Sequence, residues 1–212
     1  MAATEPMAPT GLNVGAPRVY DDGGSDPVGV KGELVRLDGR RYQIDLDGAL
    51  LITPQDQAGL VNLAYLPDAA YLRLGETLGL SPSLARRLAP LYGDYVDRDD
   101  LEQPNGAERR DYGGQGPANR VMRSPDEWLS MLGVRRAVKA AAWRRIRPFL
   151  AMDPTSTNEN VNTAPGEAMT LLYGATPAQV ETAMRAREQR PFLSFAEFAA
   201  ATGLPNTSGD SF

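Results

Sequence analysis

From Pro67 to Ala201 apolar residues recur with a period near 3.6, which predicts helices. The segments are 69–78, 82–95, 125–131, 138–150, 165–172, 177–187 and 194–201. Several carry start signals. Ser81-Pro82, Ser124-Pro125, Ala164-Pro165 and Thr176-Pro177 each place proline at a first helical position. Ser194 followed by Glu197 has the spacing of a capping box. Upstream the period falls to two. Residues 33–37 alternate in part, 41–46 alternate again, and 49–53 form a third candidate strand. Asp38-Gly39 and Asp47-Gly48 between them are hairpin signals.

The expected fold class is therefore α+β. Residues 1–30, rich in Gly, Pro and Asp, read as a flexible N-terminal segment. Residues 31–63 read as a small antiparallel β meander, 64–204 as a large α-helical domain, and 205–212 as a tail. Within the helical part a short pattern recurs. Leu78-Gly-Leu-Ser-Pro82 and Tyr173-Gly-Ala-Thr-Pro177 each join two helices through a glycine turn, and Leu132-Gly-Val134 opens a looser third copy. Helix-hairpin repeats are expected. Such hairpins can present turn amides to DNA phosphates, but no lysine stands near these turns. Asn160 and Asn162 are expected to fold their amides back on the backbone, with Thr163 as N-cap.

Composition narrows the chemistry. The chain has no cysteine and no histidine, which removes thiolate sites, the Ser-His-Asp triad and most zinc or iron centres. A net charge of −5 and a pI near 4.9 argue against general affinity for nucleic acid or anionic membrane. No stretch is long or apolar enough to cross a bilayer, and residues 1–17 lack the marks of a signal peptide. A carboxylate-based glycosidase needs two opposed carboxyls and sugar-stacking aromatics. The acids here crowd into one loop and aromatics make up only 7% of the chain, so no enzyme is expected.

That loop, Asp94 to Asp111, sets seven carboxylates against three arginines around a turn at Pro104-Asn105-Gly106. Like charges so dense need water, arginine or a cation between them. A solvated acidic loop and a hard-cation site, which takes six to eight oxygens, are both open readings. An EF-hand is excluded. With Asp97 and Asp99 at positions 1 and 3, Leu101 falls at position 5 and no glycine stands at 6. A basic run, Arg135 to Arg147, carries six positive charges and no acid. Val138, Ala141, Ala142, Ile146, Phe149 and Leu150 make one apolar face of it. The charges are expected on the opposite face, pairing with the acidic loop or docking a partner.

Four ordered stretches carry a resemblance. They are Asp56-Gln-Ala-Gly-Leu-Val-Asn62; Asp94-Tyr-Val-Asp97-Arg-Asp99-Asp100 with Asn105-Gly-Ala-Glu108 and Asp111-Tyr112; Asn119 with Ser124-Pro-Asp-Glu127-Trp-Leu; and Asn160-Val-Asn162-Thr-Ala-Pro165 leading to Arg187 and on to Glu197. Together they resemble general secretion pathway protein K, the large minor pseudopilin of type II secretion systems. The resemblance implies a pilin-like β region with a large helical domain. It also implies a non-enzymatic role at the tip of a periplasmic pseudopilus, in assembly and protein export. Its implied partners are the I- and J-type minor pseudopilins, with secreted substrates or the outer-membrane channel beyond them. The implied cofactor is calcium in the helical domain, with Asp97, Asp99 and Glu108 as first ligands and Asp94 and Asp111 behind them. A helix-hairpin-helix DNA-binding module is the alternative. The family begins with a prepilin leader and a helix anchored in the inner membrane, and it continues into further strands. Neither is read in these residues, which are expected to be a soluble part on the periplasmic side.

Overall fold

The computed structural model describes residues 18–19, 28–29, 35–46, 48–113 and 116–205. Most of the segment read as flexible, and the tail beyond Pro205, lie outside these. The chain divides into two compact units, 1–55 and 56–212.

In the first unit a four-stranded antiparallel sheet has the order β2-β1-β3-β4. β1 is Arg18–Val19, β2 is Val28–Gly29, β3 is Tyr42–Leu46 and β4 is Gly48–Ile52. β3 and β4 are the hairpin expected at Asp47-Gly48, in a register that sets Tyr42 opposite Ile52 and Leu46 opposite Gly48. The strand expected at 33–37 does not form over its described part, 35–37. Its place beside β3 is taken by β1. Asp38 makes one isolated bridge to Gln55, and the Gly39 amide donates to the Pro54 carbonyl.

In the second unit α1 (Asp68–Thr77) and α2 (Pro82–Val96) pack together. Their buried residues keep helical spacing: Ala70, Tyr71 and Leu74 on one, Ala85, Leu88 and Leu91 on the other. Gly75 permits the close approach, since a Cβ there would stand 2.6 Å from the Cβ of Ala85. Pro125–Ser130 is a 3-10 helix instead of an α-helix.

The helix expected over 138–150 is broken. α3 spans Val134–Ala137 and α4 spans Ala140–Ile146, then Arg147–Phe149 makes a 3-10 turn. Val138 and Lys139 are extended, with ψ of 125° and 130°, and Pro148 cannot donate to a continuing helix. Trp143 of α4 stacks on the fully buried Trp128, ring centres 6.3 Å apart. Leu150–Ala151 (β6) then pairs in parallel with Val61–Asn62 (β5), which ties residues 61–62 into the helical unit.

α5 (Gly166–Tyr173), α6 (Pro177–Gln189) and α7 (Phe195–Thr202) enclose a second core around Phe198, whose neighbours include Phe192, Phe195 and Tyr173. Side chains bonded to backbone tie these helices and loops together. Arg73 of α1 donates from Nε to the Leu171 carbonyl at 2.6 Å and from its other arm to Leu172, satisfying the open end of α5. Asn162 brackets Phe192, donating to its carbonyl at 2.9 Å and accepting from its amide at 2.8 Å. Asn160 accepts locally from the Asn162 amide but gives its own side-chain amide to Asp56.

Two capping expectations change. Thr163 does not cap α5, where Pro165 holds the N-cap position. Its hydroxyl donates to Asp56 Oδ2 at 2.9 Å instead. Ser194 caps α7 through the Glu197 amide, but the Glu197 carboxylate accepts from the Leu193 amide, so the reciprocal half of the box falls one residue early. A full capping box stands at Thr176 and Gln179.

Candidate cation site

Asp94 lies on the buried stripe of α2, three residues beyond Leu91, and is fully buried. There its carboxylate organises the loop that follows. Oδ2 accepts from the Ala107 amide at 2.8 Å, and the Gln103 amide reaches both oxygens at 3.2 Å. The turn between them has Asn105 left-handed at φ 71° and a Gly106-to-Gln103 backbone bond of 2.8 Å. Arg87, two turns earlier on α2, holds the Asn105 and Gly106 carbonyls at 2.9 and 3.1 Å. Gly106 packs so tightly that a Cβ would stand 1.9 Å from Asp94 Oδ2.

This turn returns Glu108 to Asp94. Asp94, Asp97 and Glu108 each offer an oxygen within 4.8 Å of the others. Glu108 is only 4% exposed, and both of its oxygens are buried without a hydrogen-bond partner, as is Asp97 Oδ1. Nearby, Asn119 is held left-handed at φ 47°, its amide on the Tyr95 carbonyl and its side-chain nitrogen on the Asp99 carbonyl. Its Oδ1 is also buried and unpartnered. Burial first, then the neighbouring Asp94, Asp97, Asp100 and Asp99, push the Glu108 carboxyl above its ordinary range. Burial, Asp99 and Asp94 do the same to Asp97.

Of the five expected ligands the structure brings these three together and leaves two outside the cluster. Asp99 turns its carboxylate to the Leu101 amide at 2.9 Å. Asp111 accepts from the Glu108 amide at 3.0 Å and so buttresses the site from behind. Asn119 enters the expectations only through the resemblance; a lone asparagine between Pro117 and Pro125 carries no ligand signal in sequence. Among the described residues the basic run forms no ion pair with the loop: Arg147 pairs with Asp126 at 2.9 Å, and Asp126 also accepts from Trp143 Nε1.

Oxygens this close can share one hard cation. Buried carboxylates with no donor are rare and call for an explanation. A cation fits.

Without a cation the raised Glu108 carboxyl makes a checkable pH signature. The folded state keeps this proton over a range where the unfolded chain has lost it, so stability falls as pH rises through that range. Below the ordinary carboxylate range the penalty is absent. In chelator, Glu108→Gln is therefore expected to equal the parent in acid and to exceed it near neutral pH. Urea midpoints across pH measure the gap; a gap that stays constant would contradict the cause assigned.

The fold and the site define a mixed α/β protein whose helical unit carries a buried carboxylate cluster. Residues 54–155 match the family model described as Type II secretion system (T2SS), protein K. The type II secretion system protein K of Pseudomonas aeruginosa is 28% identical over 183 residues, 82% of this chain and 55% of that protein. The protein K of Klebsiella pneumoniae is 28% identical over 188 residues, 80% of this chain and 57% of that one. The chain thus spans about half the length of these curated relatives. The fold matches a chain of the crystal structure of the GspK-GspI-GspJ complex from enterotoxigenic Escherichia coli, with a TM-score of 0.51 and 16% identity. That match covers 79% of this chain and 60% of the other. Among the described residues no helix is long and apolar enough to cross a membrane.

Proposed function

We propose that this chain works as a minor pseudopilin of a type II secretion system, a non-enzymatic assembly protein at the pseudopilus tip on the periplasmic side of the inner membrane. The observation that carries this is the protein K match over 54–155, the stretch that holds the whole acidic loop. Its partners are the I- and J-type minor pseudopilins, the types with which the structural neighbour was crystallised. Secreted substrates or the outer-membrane channel are its next contacts.

Calcium belongs to the same reading. Asp94, Asp97 and Glu108 hold it, with Asn119 Oδ1 as a further oxygen, and the ion supplies the positive charge that three converging carboxylates lack. Asp94 fixes the turn, Glu108 closes it, and Asp111 holds the Glu108 backbone. The role is to lock the loop onto α2. We read the turns 78–81 and 173–176 as copies of one helix-hairpin unit, on the left-handed Gly79 and Gly174 and the caps at Ser81 and Thr176. Those cap hydroxyls serve their own helices, and nothing favours the DNA-binding alternative.

Co-expression of the chain with I- and J-type pseudopilins, followed by size-exclusion chromatography, tests the assignment. A complex containing all three is expected. A chain that elutes alone in calcium would overturn it.

A further inference from the structure

Beside the cation loop lies an open groove of about 780 Å³ that the proposed role does not use. One wall is Asp111 and Tyr112, at the end of the loop. The floor and opposite wall run from Leu129 to Arg136 through Leu132. The Tyr112 hydroxyl accepts from the Leu132 amide at 3.0 Å, which ties the walls together and sets the groove's shape. Tyr112, Leu129 and Leu132 are half-buried and leave an apolar floor partly open.

The charges at the two rims are not balanced alike. Asp111 is compensated by the Glu108 amide and, at 3.7 Å, by Arg110 Nε. Arg135 and Arg136 are exposed, and among the described residues neither has a carboxylate partner. The run 135–147 carries no acid, and the carboxylate that lines the groove, Asp111, is already held by the Glu108 amide and Arg110, so among the described residues these two arginines form no ion pair.

We infer that this groove docks an acidic, leucine-bearing segment of a partner protein, its carboxylates meeting Arg135 and Arg136 and its apolar side chains lying on Tyr112, Leu129 and Leu132. Two features favour a protein segment over other anions. The apolar floor has no use for a phosphate backbone. A concave site cannot lie flat on a bilayer. The inference stands apart from calcium and from the secretion assignment, since it rests on the groove alone.

The test uses the full chain and a fluorescent peptide alternating glutamate and leucine, read by anisotropy. Saturable binding that weakens with salt is expected, with a lysine-leucine peptide inert. Arg135→Glu/Arg136→Glu is expected to weaken binding by about tenfold or more, while Arg144→Glu/Arg145→Glu on α4 leaves it unchanged. Thermal melts of both variants establish that they are folded. No binding of the acidic peptide overturns the inference. So does undiminished binding by the first variant, equal capture of the lysine peptide, or binding only to duplex DNA or phosphatidylglycerol vesicles.

Discussion

Gly106→Ala is expected to destabilise the helical unit by about 3 kcal/mol and to abolish its response to calcium. The new Cβ would fall 1.9 Å from Asp94 Oδ2 and 2.7 Å from Asp94 Cγ. An exposed carboxylate would swing aside at little cost. Asp94 cannot, because it is fully buried and pinned by the Ala107 and Gln103 amides. If the side chain yields, those amides lose their acceptor; if the backbone yields, Arg87 loses its two carbonyls and Glu108 moves away from Asp94. Either route dismantles the cluster. Urea unfolding with and without calcium measures both effects. A variant as stable as the parent, with its calcium response intact, would show that the turn is not built as described.

The sequence made the helices legible where a start signal and an apolar stripe coincided. Ser81-Pro82 and Thr176-Pro177 open α2 and α6 where the dipeptides predict. It failed between Val138 and Leu150, where alanine-rich helix propensity conceals two extended residues at the start. Packing decides that break, since Trp143 must reach both Trp128 and Asp126. In the sheet, β1 and β2 sit in a segment whose glycines and aspartates read as flexible, and strands of two residues have no period to detect.

The site was half legible. Density of charge singled out the loop that holds the carboxylate cluster but could not rank its members. Asp94 stood behind Asp97, Asp99 and Glu108, although it falls on the stripe of Leu88 and Leu91, where an acid should be rare. That conflict between pattern and chemistry was the available signal. Asp99 and Asp111 left the cluster because short acidic side chains readily bond amides two or three residues away. No local rule reveals Asn119, whose place depends on backbone bonds to Tyr95 and Asp99.

In the proposed role Asp94, Asp97 and Glu108 form a calcium site whose occupancy holds the loop to α2. Without the ion Glu108 is a buried charge with no partner; with it, the same charge is a ligand. Glu108→Gln keeps the shape and removes the charge, so its effect must change sign with calcium. The decisive measurement is a set of four melts near neutral pH, parent and Glu108→Gln, each in chelator and in calcium. The prediction is a variant more stable than the parent in chelator, and a parent that gains about 2.7 kcal/mol when calcium stands at one hundred times its dissociation constant. The variant should gain far less and become the weaker of the two. Equal calcium shifts in both proteins, or no shift in either, would contradict the claim.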